Sequence, residues 1–360
     1  MDLYLNSLSL NTKYINLSDN HLTKLPDLYR FTELTTLYCS NNQLTELINL
    51  PKTLIRLDCN NNQLKVLPIL PNTLTILCCN QNQLIELNNL PQSLIILCCD
   101  NNNLKQLVNL PNTLSILRCN NNQIIKLVNL PIKLNALYCC NNNLDELNDL
   151  PNSLTELWCN NNKITKLTKL PNTLIRLYCD NNQLKELINL PDKLNILNCN
   201  NNQLRELYNL PNTMTELWCN INQITKLTNL PKILTLLQCN NNKLTELTDL
   251  PNMLTELNCD NNKLTKLTNL PNTLIHLNCC NNKLIKLTNL PNKLVYLNCS
   301  NNKLIFFDLL KLKKLDKFVK FFSINKLLEI IFYYFVKKRC LKYKKELIVK
   351  SCHPSRLKFI

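Results

Sequence analysis

The chain has 360 residues, a formal charge of +16, twenty cysteines and no glycine. Without glycine it has neither the phosphate-cradling loop of nucleotide-binding enzymes nor the nucleophile elbow of hydrolases, since both depend on glycine's backbone freedom. Ala136 is the only alanine, set against an excess of Asn, Leu, Lys and Ile that points to an AT-rich genome. Where the backbone needs a positive φ, asparagine is the expected substitute.

Charge is unevenly spread. Residues 305–360 hold fifteen Lys/Arg against four Asp/Glu, a net +11, while the other 304 residues hold 26 against 21, a net +5. The N-terminal MDLYLNSLSLNTKY has no basic segment followed by an apolar one, so no secretory signal is expected. Fourteen of the cysteines share one phase, from Cys39 to Cys299 in steps of twenty, which is a packing position rather than a pairing scheme. Reduced thiols in the cytoplasm are the expectation.

Taken in order, residues 1–11 alternate at Leu3, Leu5, Leu8 and Leu10, which predicts a short strand serving as an N-terminal cap. A degenerate unit follows with Ile15, Leu17, Asn20, Leu22, Leu25 and Leu28. It is longer than the rest, because Asn20 to Asn42 spans twenty-two residues. Fourteen units then begin at Leu34 and recur every twenty residues to Leu294, with Met214 the one substitution; thirteen prolines recur from Pro51 to Pro291. The unit from Leu154 to Thr173, LTELWCNNNKITKLTKLPNT, gives the template LxxLxCxNNxLxxLxxLPxx.

Residues 12–310 resemble the leucine-rich repeat family, whose signature is LxxLxLxxNxL. The units look most like those of giant DNA viruses and of bacterial type III effectors, with cysteine where the third leucine usually stands. The resemblance implies an α/β solenoid with a parallel sheet on its concave face and an extended, irregular convex side, since twenty residues leave little room for a helix. Leu157 and Cys159 then point inward from a strand, and Ile164, Leu167 and Leu170 return to the core. Asn162 belongs to an asparagine ladder bonding backbone groups of the loop leaving the strand, and Pro171 fixes φ where the chain turns back. No unit buries its apolar side chains alone; stacking about fifteen gives an arc on the order of 70 Å.

Past residue 310 the repeat ends. Leu309, Leu312, Leu315, Val319 and Phe322, then Ile324, Leu327, Leu328, Ile331 and Phe335, fall at helical spacing with Ser323 as an N-cap. A basic amphipathic helical C-terminal cap over residues 311–360 is expected. The same pattern suits a helix lying on an anionic membrane surface. The apolar run 330–336 is too short to span a bilayer.

On each strand, positions 3, 5 and 7 face away from the core. Position 5 reads Tyr38, Asp58, Cys78, Cys98, Arg118, Tyr138, Trp158, Tyr178, Asn198, Trp218, and holds both tryptophans. Glu156, Arg176 and Glu216 flank them. Because aromatics and arginine dominate binding hot spots, the candidate protein-binding residues are Tyr138, Glu156, Trp158, Arg176, Tyr178, Glu216 and Trp218. Large aromatics can also stack along a sheet simply to stabilise neighbouring strands.

Cys78 and Cys98 should lie on adjacent strands, where a disulfide or a metal site is conceivable, but no histidine is near in phase and two ligands do not make a zinc site. No metal, cofactor or small-molecule substrate is expected. Some effectors with similar units carry a C-terminal ubiquitin-ligase domain with a catalytic cysteine; the segment holding Cys340 and Cys352 is too short for one, and no enzymatic activity is expected. Lys243, Lys263, Lys283 and Lys303, with Lys266 and Lys286, make the C-terminal end basic. Lys337, Lys338 and Arg339 are the candidate contacts to phosphate, on nucleic acid or membrane. The reading is a non-catalytic protein-binding scaffold, of viral origin and acting in host cytoplasm on host or viral proteins. Peripheral nucleic-acid or membrane association through the tail is the alternative.

Overall fold

The computed structural model describes residues 2–304 and 306–307. The expected C-terminal helices over 311–360 lie outside the described residues.

One strand of three residues forms in nearly every turn. The first is Tyr14–Asn16, the second Thr36–Tyr38, and the series continues at twenty-residue intervals to His276–Asn278 and Tyr296–Asn298. Together they form a fifteen-stranded parallel sheet in sequence order. Register is fixed by the repeat, since each residue pairs with its counterpart twenty positions on, as Trp158 does with Tyr178. The first pair is offset by twenty-two, Tyr14 with Thr36, which absorbs the two extra residues of the degenerate unit. A second, two-stranded ladder pairs Lys286–Leu287 with Phe306–Phe307.

The middle residue of each strand points inward: Leu157 and its counterparts have almost no exposed surface, and the cysteine two residues on, Cys159 in that turn, is equally enclosed. Ile164, Leu167 and Leu170 close the same core from the other side. Burying a leucine-sized side chain contributes about 1.5–3 kcal/mol, and the repeat multiplies this gain along one continuous core rather than enlarging a globule.

Asn162 shows how the turns are tied together. Its side-chain amide donates to the carbonyls of Cys139 in the preceding turn (3.0 Å), Cys159 (3.1 Å) and Asn160 (3.3 Å). Its Oδ1 accepts from the buried N–H of Leu144 at 3.0 Å. One side chain thus ties two consecutive turns: the carbonyls also accept from Asn142, Asn182 and the Asn141 N–H, whereas the Leu144 N–H would otherwise be buried unpaired. Two further ties were not assigned from the sequence. Thr173 Oγ1 donates to the carbonyls of Leu154 (2.7 Å) and Asn152 (2.8 Å). In the loop after the strand, Asn60 Oδ1 accepts from the N–H of Asn80 at 2.7 Å.

Left-handed backbone recurs at two places in most turns, exemplified by Asn181 and Asn189. Asparagine fills most of these positions, as the absence of glycine implied. Ile221, at φ 52°, is the β-branched exception.

Two expectations are corrected. Residues at the N-terminus form a helix, Asp2–Ser7, not a strand. Leu5 and Leu8 are three residues apart, so a helical turn sets both on one face; Leu5 is buried and Leu8 packs on the core. Ser7 Oγ donates to the Tyr4 carbonyl at 2.7 Å, and Arg30 donates to Asn6 Oδ1 at 2.9 Å. The α/β class is also too broad. This six-residue helix is the only one among the described residues, and the fold is a β-solenoid with an extended return path.

Candidate functional site

With the middle residue of each strand buried, its two neighbours line the open face of the sheet. In-register pairing places side chains of one template position in a row, with neighbouring strands about 4.8 Å apart. Arg118, Tyr138, Trp158 and Tyr178 form such a row.

The row is continuous. The Arg118 guanidinium lies 5.2 Å from the Tyr138 ring centroid. The Tyr138 and Trp158 rings are 5.8 Å apart and tilted, and Trp158 stacks on Tyr178 at 4.1 Å. Arg118 is anchored by Asp100, with Nε donating to Oδ2 at 3.1 Å. Burial disfavours the guanidinium's charge, but the Asp100 carboxylate outweighs it and raises the Arg118 pKa. In the parallel column, Glu156 accepts from the Tyr138 hydroxyl at 3.0 Å and also pairs with Arg176. Burial, then the Glu156 carboxylate, raises the Tyr138 pKa; burial, then Glu216, does the same for Tyr178. Both phenols therefore stay protonated as hydroxyl donors at neutral pH. Trp158 Nε1 is enclosed with no hydrogen-bond partner.

Five of the seven candidate residues thus form one contact network: Tyr138, Glu156, Trp158, Arg176 and Tyr178. Glu216 and Trp218 make no contact with it across the strand carrying Ile196 and Asn198, although the Glu216 charge is felt at Tyr178. Arg118 and Asp100 join the network although neither was among the candidates. The signal for Asp100 was an acidic residue at a template position that most often holds Asn. Lys337, Lys338 and Arg339 lie outside the described residues.

Further along, Gln238, Glu256, Asn258, His276 and Tyr296 line a shallow cavity of about 380 Å³. His276 Nδ1 is 3.7 Å from Glu256 Oε1, and its ring meets Tyr296 edge-on at 6.2 Å. Among the described residues no group of three or more His, Cys, Asp or Glu side chains is placed to hold a metal ion. No helix among them is long and apolar enough to cross a membrane.

Comparison with known proteins agrees with this geometry. The family model described as Leucine Rich repeats (2 copies) matches residues 13–52. Among solved structures, YopM from Yersinia enterocolitica WA-314 is similar at 32% identity and a TM-score of 0.74, over 82% of this chain and 75% of that one. YopM from Yersinia pestis, described as a leucine-rich effector protein, is similar at 38% identity and a TM-score of 0.73, over 82% and 85%. The functional domain of InlJ from Listeria monocytogenes, described as including a cysteine ladder, shares 28% identity at a TM-score of 0.72, over 81% and 69%. Comparison with curated protein sequences gives no significant match.

Proposed function

From the premise that this chain belongs to the leucine-rich repeat family, as a member with twenty-residue units, we propose that it is a non-catalytic scaffold binding a protein partner on the open face of its sheet. Proteins of this family are generally non-catalytic scaffolds, typically of the protein-binding kind. The contact region we assign comprises Tyr138, Glu156, Trp158, Arg176, Tyr178, Glu216 and Trp218, with Arg118 added.

The observation that carries this reading is the unbroken row from Arg118 to Tyr178, with Trp218 beyond it on the same face. Rigid aromatic and arginine side chains supply large contact area at low entropic cost, which is why they dominate binding hot spots. The row is pre-ordered, because Asp100 and Glu156 hold the arginines and Tyr138 before any partner arrives. A partner offering an apolar or aromatic stripe flanked by carboxylates would meet both the rings and the outward parts of Arg118 and Arg176. The Asn- and Lys-rich composition suits an AT-rich genome such as that of a giant DNA virus, the source we propose, with host or viral proteins as partners.

Affinity capture with the full chain tests this. Trp218→Ala combined with Arg118→Ala should lose the partners that the wild-type chain retains, while the double variant still unfolds in one cooperative transition, lowered by the loss of the Asp100 pair. Equal retention by both chains would place binding elsewhere.

A further inference from the structure

Two cysteines differ from all others among the described residues. Cys78 and Cys98 are partly exposed on the open face, whereas the remaining sixteen are buried. They are also direct partners in register on adjacent parallel strands, Ile76–Cys78 and Ile96–Cys98. Neighbouring strands lie about 4.8 Å apart, inside the roughly 4.4–6.8 Å Cα span that a disulfide bridges. The buried ladder cysteines share this spacing along the solenoid, but burial keeps an oxidant away from them. Among the described residues, close spacing and solvent access coincide only at Cys78 and Cys98.

We propose that Cys78 and Cys98 form a reactive dithiol, a modification site that closes to an intramolecular disulfide by exchange with a small disulfide such as oxidised glutathione. It stands apart from the binding role assigned above and does not require it. In the first step the Cys98 thiolate attacks one sulfur of the small disulfide, forming a mixed disulfide and releasing one thiolate, which takes up a proton. In the second, the Cys78 sulfur, its proton lost to solvent, attacks the Cys98 sulfur and expels the other small thiolate. The two protein thiols are oxidised to one disulfide, and the small disulfide is reduced to two thiols.

The surroundings fit this order of attack. The neighbouring Cys78 sulfur, with Arg118 in register on the other side adding its positive charge, holds Cys98 below the ordinary thiol range despite its partial burial. Cys78, beside that same sulfur, partly buried and in register with the Asp58 carboxylate, is held above it; the cation next to Cys98 and the anion next to Cys78 make Cys98 the nucleophile and Cys78 the resolving thiol. The ladder thiols next to them are inert by contrast: burial pushes Cys79, Cys99 and Cys119 upward.

The test exposes the folded full-length chain to oxidised glutathione and reads intact mass and mapped peptides, with Cys340→Ser and Cys352→Ser removing the tail thiols from the count. The expected product has lost two hydrogens, carries one Cys78–Cys98 cross-link, has an unmodified ladder, and returns to the dithiol under dithiothreitol. Cys78→Ser should trap a stable glutathione adduct on Cys98. Should that variant fold poorly, phenylarsine oxide, which bridges paired thiols, should bind the wild-type chain once and only before oxidation. Separate glutathione adducts on Cys78 and Cys98 without a cross-link would overturn the proposal. So would a cross-link to a ladder cysteine, or no reaction where the unfolded chain oxidises fully.

Discussion

Trp158 stacks on Tyr178 with ring centroids 4.1 Å apart and also meets Tyr138 at 5.8 Å. Trp218, three turns further on at the same template position, has Asn198 and Gln238 as strand partners and no ring against it. The two tryptophans of one column therefore have different physical duties. Trp158 holds strands together through its rings as well as presenting a surface, whereas Trp218, also part-buried, has no ring partner.

Trp158→Ala should accordingly lower stability, by about 1–3 kcal/mol, since two ring pairs are lost along with the area they bury. Trp218→Ala should cost less than this, because it loses buried area but no ring pair. Urea denaturation of the two variants checks this, and equal losses would mean that ring stacking contributes little here.

Asn162→Ala removes the amide that serves three carbonyls and the oxygen that serves the Leu144 N–H. The carbonyls keep their second donors, but the Leu144 N–H stays buried without an acceptor, so the expected cost is about 1–3 kcal/mol. Because each turn contacts only its neighbours, the damage should be local. Hydrogen exchange should speed up in the turns around residues 139–162 before it does at either end.

Ile221 stands at φ 52° where neighbouring turns place Asn201 and Asn241. Its side chain is 52% exposed, so packing does not compensate for the strain. A β-branched residue in the left-handed region costs roughly 1–2 kcal/mol, and asparagine tolerates it better. Ile221→Asn should therefore raise stability by about 1 kcal/mol, seen as a higher denaturation midpoint at unchanged slope. The reverse change, Asn201→Ile, should lower it.

Burial pushes the ladder thiols upward: Cys39 and Cys299 to about 12, and Cys159 well above the ordinary value. In the unfolded chain a thiol releases its proton near pH 8.5. The unfolded state thus ionises first, and the stability carried by these thiols is complete below about pH 8.5 and lost as pH rises toward the folded values. Many ladder thiols act together, so the denaturation midpoint should fall steeply in mild alkali. Cys159→Val removes one of them and should recover about 1.4 kcal/mol per pH unit above that point. Midpoints measured from pH 7 to 10 for both chains test it.

Most of the solenoid was legible in the sequence because a strict repeat leaves one consistent solution. Leu157, Cys159, Asn162, Ile164, Leu167 and Pro171 each recur at fixed phase, and periodicity determines which of them face the core. The same regularity implied asparagine in the left-handed positions once glycine was missing. The candidate row was legible as well, since in-register stacking turns a template position into a line of neighbours.

What the tertiary structure decided lies where the repeat is broken or where one side chain chooses between partners. The N-terminal leucines fit a strand or a helix by spacing alone, and only contact with the first turn set Leu5 and Leu8 on one helical face. Position 5 put Trp158 and Trp218 in one column, but their neighbours gave Trp158 two ring contacts and left Trp218 without any. Asp100 became the anchor of Arg118 through a lateral contact between successive turns, which a linear template does not encode. For Cys78 and Cys98 the template already gave both adjacency and an outward direction, set against a ladder that points inward; packing decided only how much of each thiol stays open beside its neighbours.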